Sequence, residues 1–260
     1  MIKTFTIWLI LILLSYSEVI GQDPDNDFAI SSFTFNEDIS VSELVLESFD
    51  QKLSHYRDTR IKASDDTQFL KKLFFGIQRD KLQHYKNNVS LAEMFTQKGS
   101  YDCLTGTAVY ALILDALGID FSIKETDFHV YLIVHLDKKD ILFEATDPVN
   151  GFVENPIVIT ERVKLYRDGE RASELLVSNQ AEDASLRIPY RIDRVISLSN
   201  LAGLQYYNLA LKAFDATDYV LSNELIDLAI SLYPNDRFSG FKQIIQIEAA
   251  QPVSAIFSNE

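Results

Sequence analysis

An almost uninterrupted apolar run lies near the middle of the chain, between Asp102 and Gly118. A helix over this run would be apolar nearly all the way round, and such a helix is buried rather than laid on the surface. Asp102, or Ser100 before it, can cap the first turn, and Gly118 can end the helix in the left-handed conformation. We therefore expect the rest of the chain to pack around a central helix that begins at Cys103.

Cys103 is the only cysteine in the protein, so no internal disulfide can form. In the first turn of a capped helix, the free N–H groups and the helix dipole favour a thiolate. A cysteine in an apolar helix is, however, more often a small buried hydrophobic residue than a nucleophile. The sequence leaves both interpretations open, and the choice depends on whether a base lies nearby.

Two strands follow the helix and carry a candidate base and a candidate carboxylate. Residues 128–136 alternate between two faces, with His129 on one of them, and residues 141–146 return towards Asp147. If the turn is centred on Lys138 and Lys139, His129 lies opposite Pro148. A three-residue turn would instead place it opposite Asp147, with both side chains on one face. The sequence therefore predicts a bulge or a three-residue turn.

Cysteine, histidine and aspartate in this arrangement fit nucleophilic catalysis. Cys103 would attack a carbonyl carbon, His129 would exchange the proton, and Asp147 would fix the imidazole tautomer. Taken singly, His129 is an ordinary strand residue and Asp147 before proline is a strand end. The combination favours the catalytic interpretation.

The order of these motifs resembles the transglutaminase-like superfamily of papain-type folds: Cys103, an apolar helix ending in Leu-Gly-Ile, His129 at a strand start and Asp147 after the next strand. The resemblance implies an α+β fold, with helices packed on a small antiparallel sheet. It also implies a cysteine amidase or peptidase working through a thioester, with acyl transfer to amines as a lesser option. Gln97 resembles the oxyanion glutamine of papain-like enzymes. Relatives often have a tryptophan soon after the histidine, where this chain has Tyr131.

The C-terminal part resembles one tetratricopeptide (TPR) repeat, as in the bacterial branch of that superfamily. Its signature positions are Tyr206, Leu209, Ala210, Ala229 and Pro234. A single repeat cannot bury its own apolar face, so it must pack on the core or on a protein partner. A non-enzymatic envelope scaffold that uses these helices is therefore the alternative function.

The expected organisation has four parts: a signal peptide over 1–21, a lead and helix over 22–62, the transglutaminase-like domain over 63–195 and the TPR-like segment over 196–260. Lys3, the apolar run 5–14 and a cleavage site before Gln22 predict export to the periplasm or outside the cell. An uncleaved N-terminal anchor is the alternative. The predicted cleavage site is followed by Gln22 and not by a cysteine, so a lipoprotein is not expected. Residues 156–163 favour a further strand, and 165–190 receive no assignment.

Charge and composition limit the classes of molecule that the protein is expected to bind. The net charge of −14 argues against nucleic acid and against stable association with an anionic membrane after signal cleavage. The remaining histidines lack metal-ligand spacing, so neither a metal nor a cofactor is expected. A peptide or protein amide is the expected substrate, with a possible protein partner for the TPR-like helices. An enzyme would need Cys103 accessible beside His129, whereas a scaffold tolerates a sealed thiol.

Overall fold

The computed structural model describes residues 29–96, 99–127, 129–178 and 192–250. The fold combines helices with an antiparallel sheet, which confirms the expected α+β class. The helices of the described ranges are α1 (Ile39–Ile61), α2 (Asp66–Lys81), α3 (Leu91–Thr96), α4 (Cys103–Ala116), α5 (Pro156–Ser178), α6 (Leu198–Asp215), α7 (Tyr219–Leu232) and α8 (Asp236–Ala249). The strands are β1 (His84–Tyr85), β2 (Ser100–Tyr101), β3 (Phe121–Thr126), β4 (Val130–Leu136), β5 (Lys139–Phe143), β6 (Phe152–Val153) and β7 (Asp193–Ile196).

The central helix is the one that the sequence predicts. Helix α4 begins at Cys103, its N-cap is Asp102, and Gly118 follows its end with a φ of 62°. Tyr110, in the middle of α4, is fully buried, stacks on Phe74 of α2 at 5.3 Å between ring centroids, and donates a hydrogen bond to the Phe74 carbonyl oxygen at 2.9 Å. The main hydrophobic core is thus built around α4, as its all-round apolar sequence requires.

The main sheet has the strand order β6-β5-β4-β3-β7, and all neighbouring strands are antiparallel. The predicted alternation in β4 is confirmed, because Val130, Leu132 and Val134 join the main core while Tyr131 and Ile133 form a second cluster. That second cluster is covered by side chains of α5. Both faces of β4 are therefore buried, one against the main core around α4 and the other against α5.

The β4–β5 turn differs from both predicted geometries. Leu136 pairs with Lys139, so Asp137 and Lys138 alone form the turn. The predicted turn centred on Lys138 and Lys139 was wrong, and so was the three-residue turn. A two-residue hairpin suits the right-handed twist of the strands.

Residues 156–163 form the start of a helix, and the predicted strand was wrong. The side chain of Asn155 accepts hydrogen bonds from the backbone N–H groups of Ile157 (2.9 Å) and Val158 (3.4 Å). Pro156 occupies the first helical position, where its missing N–H has no cost. This Asn-Pro start outweighs the β-branched residues that follow it. Helix α5 continues to Ser178 and so covers part of the unassigned segment.

A buried charge cluster joins the sheet to the C-terminal helices. Glu125 of β3 is 1% exposed and accepts hydrogen bonds from Arg194 (2.9 Å), Arg237 (3.0 Å) and the Tyr233 hydroxyl (2.6 Å). The helices α6, α7 and α8 therefore pack on the rest of the chain through a neutralised carboxylate as well as through apolar contacts. In the described residues, none of the helices has the length and apolar content needed to cross a membrane.

Candidate active site

Cys103 is held at the first position of α4 by the cap that precedes it. The Asp102 carboxylate accepts hydrogen bonds from the backbone N–H of Thr105 at 2.8 Å and of Val89 at 3.3 Å. Thr105 returns a contact, because its hydroxyl accepts from the Asp102 N–H at 3.0 Å. Asp102 is itself buried, whereas Cys103 is only partly buried. The thiol is therefore fixed in the first turn without being sealed in the core.

His129 lies directly before β4, and hydrogen bonds of two threonines fix it beside the first turn of α4. The Thr126 hydroxyl accepts from the His129 N–H at 3.2 Å and donates to the His129 carbonyl oxygen at 3.1 Å. Thr107, one turn along α4 from Cys103, donates its hydroxyl to the Val130 carbonyl oxygen at 3.2 Å. The beginning of α4 and the beginning of β4 are thereby tied together, which brings the thiol and the imidazole side by side.

The carboxylate beside the imidazole belongs to Glu144. Its Oε2 lies 2.6 Å from His129 Nε2, and its side chain is 3% exposed. Its other oxygen accepts from the Thr146 hydroxyl at 2.6 Å and from the Thr146 N–H at 3.0 Å. Both carboxylate oxygens are thus occupied, and the imidazole is held in one orientation.

The protonation states follow from these contacts. Burial alone would lower the pKa of His129, but hydrogen bonding with Cys103 and with Glu144, together with their charges, raises it to about 10. Burial alone would raise the pKa of Glu144, but the hydrogen bonds from His129 and Thr146 hold it below its ordinary value. At neutral pH the site therefore holds a protonated imidazole that contacts the Glu144 carboxylate on one side and interacts with Cys103 on the other.

Asp147, the predicted partner of His129, lies elsewhere. One of its carboxylate oxygens caps the following turn by accepting from the Asn150 N–H at 2.8 Å, and the other lies 3.1 Å from the Arg162 guanidinium. The two-residue turn explains the difference: continuing the β4–β5 register puts Glu144 on the His129 side and Asp147 on the opposite side. The carboxylate assignment is corrected from Asp147 to Glu144.

Two glycines allow the Glu144 loop to lie close to the core. A Cβ on Gly106 of α4 would be 2.8 Å from the Cβ of Ala145, and a Cβ on Gly151 would overlap the carbonyl oxygens of Glu144 and Asp147. Glu144 and Gly151 are also joined by a backbone hydrogen bond of 2.9 Å. The position of the carboxylate therefore depends on residues that carry no reactive group.

Tyrosines surround the cysteine, histidine and glutamate. The ring of Tyr166, from α5, lies 5.1 Å from the His129 ring and 5.0 Å from that of Tyr131. Tyr85 contacts Tyr101 edge to face at 5.8 Å, and the pKa of Tyr85 is raised by burial and then by the charge of Cys103. Aromatic rings beside the site therefore come from several segments of the chain besides the Tyr131 position. Sequence reasoning missed Tyr166 because it lies in residues 165–190, to which the sequence patterns assign no structure.

The remaining predicted site residue, Gln97, lies outside the described residues. In the part of the chain that the structure describes, no three His, Cys, Asp or Glu side chains are grouped so as to hold a metal ion. The candidate site is therefore defined by Cys103, His129 and Glu144, with Thr107, Thr126 and Thr146 fixing their positions.

Comparison with known proteins does not extend this description. No family model, no curated protein and no solved structure matches the chain.

Proposed function

We propose that the protein is a cysteine-dependent amidase or peptidase with Cys103 as nucleophile, His129 as general acid and base, and Glu144 as the carboxylate that orients the imidazole. The observation that carries the proposal is the 2.6 Å contact between Glu144 and His129 Nε2, on an imidazole that also interacts with Cys103. Since Glu144 engages Nε2, Nδ1 is the ring nitrogen left to exchange a proton with the thiol in this proposal. These are the three roles that a thiol hydrolase needs.

The chemistry follows from those roles. The Cys103 thiolate attacks the carbonyl carbon of an amide, and the C–N bond breaks as His129 protonates the leaving amine. The product is a thioester on Cys103. Water then attacks the thioester with His129 as base, which releases a carboxylic acid and restores the thiol. An amine in place of water would give acyl transfer. The Cys103 N–H, free of an intrahelical partner at the start of α4, is a donor for the oxyanion, and Gln97 is the second proposed donor.

The substrate class we propose is a peptide or protein amide. Two of the tyrosines around the site reach the surface, Tyr85 (57% exposed) and the partly buried Tyr166, and their amphipathic rings suit a peptide segment. The transglutaminase-like resemblance supports the same substrate class. The resemblance also covers residues 196–260, which we propose to be a TPR-like segment that binds a protein partner. Export through the predicted signal peptide 1–21 would place this activity in the periplasm or outside the cell.

Alkylation of the single thiol tests the first part of the proposal. The rate of reaction with iodoacetamide is measured against pH for the wild type and for His129→Ala. Rapid labelling of the wild type at neutral pH, and labelling at least tenfold slower in the variant, is the expected result. Equal and slow labelling would contradict a cysteine–histidine pair.

Trapping of the intermediate tests the reaction itself. The wild type and Cys103→Ala are incubated with glutamine-containing peptides and with unfolded protein substrates, quenched in acid and weighed by intact mass spectrometry. An acyl adduct that forms only on the wild type, together with released amine, is expected. A reactive thiol that forms no adduct with any amide would favour the scaffold. The exposed apolar side chains of Val220 (74%) and Ile247 (61%) on the C-terminal helices would then be the first surface to examine for a bound protein.

A further inference from the structure

A groove lies between α1 and α2, apart from the residues of the candidate active site. Its larger part has a volume of about 640 Å3, and Tyr56, Phe75 and Gly76 form its apolar portion. Its polar lining consists of His55, Thr59, Lys62, Gln68, Lys71, Lys72 and Arg79. The groove is therefore an amphipathic cleft with basic walls.

The sign of the charge in this groove is opposite to that of the protein. The chain has 38 acidic and 24 basic residues, yet every fully charged side chain that lines the larger part is basic. Within the described residues, no carboxylate forms an ion pair with Lys62, Lys71, Lys72 or Arg79. Four unpaired cations held together repel one another, and an anionic ligand would relieve that repulsion.

The groove is elongated. A second cavity of about 360 Å3 continues it and shares His55, Tyr56, Gly76 and Arg79 with the first. Two more cations line this end, Lys52 and Lys81, together with one carboxylate, Asp80, which is paired with Lys52. From Gln68 to Lys81 the wall follows α2 for about 20 Å, at about 1.5 Å of helix rise per residue.

This shape favours one kind of anion. A groove of about 20 Å matches about six residues of an extended chain, at about 3.3 Å each. A single phosphate or a small dicarboxylate would contact only one part of it and leave the other cations unpaired. Tyr56 is buried at the base of the groove, but the Phe75 ring between the cations is partly exposed and suits the apolar part of a peptide rather than a bare polyanion.

We propose that this groove binds an extended, acidic peptide segment of a partner protein, with its carboxylates on Lys62, Lys71, Lys72 and Arg79 and its backbone along α2. The inference is independent of the chemistry at Cys103. The Debye length is about 8 Å at physiological ionic strength, so the peptide responds to the cations of the groove and not to the net negative charge of the protein. Its affinity must fall steeply as salt is added.

The test uses the whole protein and a fluorescein-labelled peptide of eight residues in which glutamate alternates with alanine. Anisotropy is recorded between 20 and 300 mM salt, with a glutamine-for-glutamate peptide as the uncharged control. We compare the wild type with the Lys71→Gln/Arg79→Gln variant and with a charge-matched Lys138→Gln/Lys164→Gln control. All four side chains are exposed, so none of these changes disturbs the core, and circular dichroism verifies folding.

The expected result is saturable binding of the glutamate peptide alone, about tenfold weaker in Lys71→Gln/Arg79→Gln and unchanged in the control. Equal loss in both double variants would mean only a general charge effect and would overturn the proposal. Tripolyphosphate at equal charge is added as a competitor. If it binds more tightly than the peptide, the groove is a site for small anions, and the assignment to a peptide partner is wrong.

Discussion

His129 Nε2 and Glu144 Oε2 lie 2.6 Å apart, in a pair formed between residues 15 positions apart in sequence. The pair occupies the face of the sheet that α5 covers, and the first turn of α4 brings Cys103 to the same ring. Glu144 therefore orients the imidazole, and the same ring is available to Cys103, as a catalytic histidine requires.

The exchange of Glu144 for glutamine is the most direct test of this arrangement. In Glu144→Gln the imidazole keeps a hydrogen-bond partner but loses the negative charge that favours its protonated form. We expect alkylation of Cys103 at pH 7 to slow about tenfold, and amide hydrolysis to fall about ten- to a hundredfold. Asp147→Asn, which changes the carboxylate bound to Arg162, should alter either rate less than about twofold. A larger effect at Asp147 than at Glu144 would restore the assignment made from the sequence.

The pair should also give stability a defined pH dependence. The pKa of His129 is raised from 6.5 to about 10, so its contribution is complete below about 6.5 and is lost as the pH rises through about 10. The pKa of Glu144 is lowered from 4.5, so its contribution is present above about 4.5 and is lost as the pH falls through the lowered value.

Urea unfolding of the wild type and of Glu144→Gln measures this contribution. The difference in the free energy of unfolding should be about 2–4 kcal/mol at pH 5.5, because the variant leaves a buried imidazolium without its counter-charge. It should shrink clearly by pH 10, where the imidazole of the wild type is no longer fully protonated. A difference that stays constant across this range would contradict the raised pKa.

The sequence predicted the centre of the fold better than the details of the site. The cap at Asp102, the helix from Cys103 and the end at Gly118 are local patterns, and all three are confirmed. The carboxylate was misassigned because the Asp137–Asp140 run contains no glycine or asparagine to fix the turn, so two- and three-residue turns fit it equally well. A shift of one residue then exchanged the two faces of β5.

Contacts between residues that are far apart in sequence could not be predicted from local sequence patterns. Glu125 is separated from Arg194 by 69 positions and from Arg237 by 112, and no periodicity signals such a meeting. Tyr166 was missed because residues 165–190 were too charged and irregular to assign from local patterns. The helix that contains it starts at Asn155 and Pro156, but the β-branched residues that follow favoured a strand.

Gly151 is expected to be essential to the Glu144 loop. In Gly151→Ala the new Cβ would overlap two backbone carbonyl oxygens, which cannot move without breaking the loop. We expect a loss of at least about 3 kcal/mol in the free energy of unfolding, measured in urea. Gly240→Ala is the control, since its Cβ would meet nothing within 4 Å inside α8, and it should be neutral or stabilising by up to about 1 kcal/mol. Similar effects at the two glycines would show that the loop can relax.

The charge cluster at Glu125 provides a further test. In Arg237→Met the buried carboxylate loses one of its two cations, and we expect about 3 kcal/mol of destabilisation by urea unfolding. Lys242→Met, on the same helix, removes only a partly exposed pair with Asp227 and should cost less than about 1 kcal/mol. Equal, small losses would mean that water reaches Glu125 when Arg237 is absent.

The same cluster bears on how this chain could have been assembled in evolution. Glu125 is on β3, beside the edge strand β7, and one of its two cations, Arg237, comes from the last helix of the described residues. An ancestor that gained or lost the last helices would have needed a compensating change at residue 125, because a buried carboxylate that keeps Arg194 but loses Arg237 and the Tyr233 hydroxyl is only partly compensated. The helical segment is therefore not an interchangeable appendage, and grafting it onto another sheet would require the acidic residue to be transferred with it.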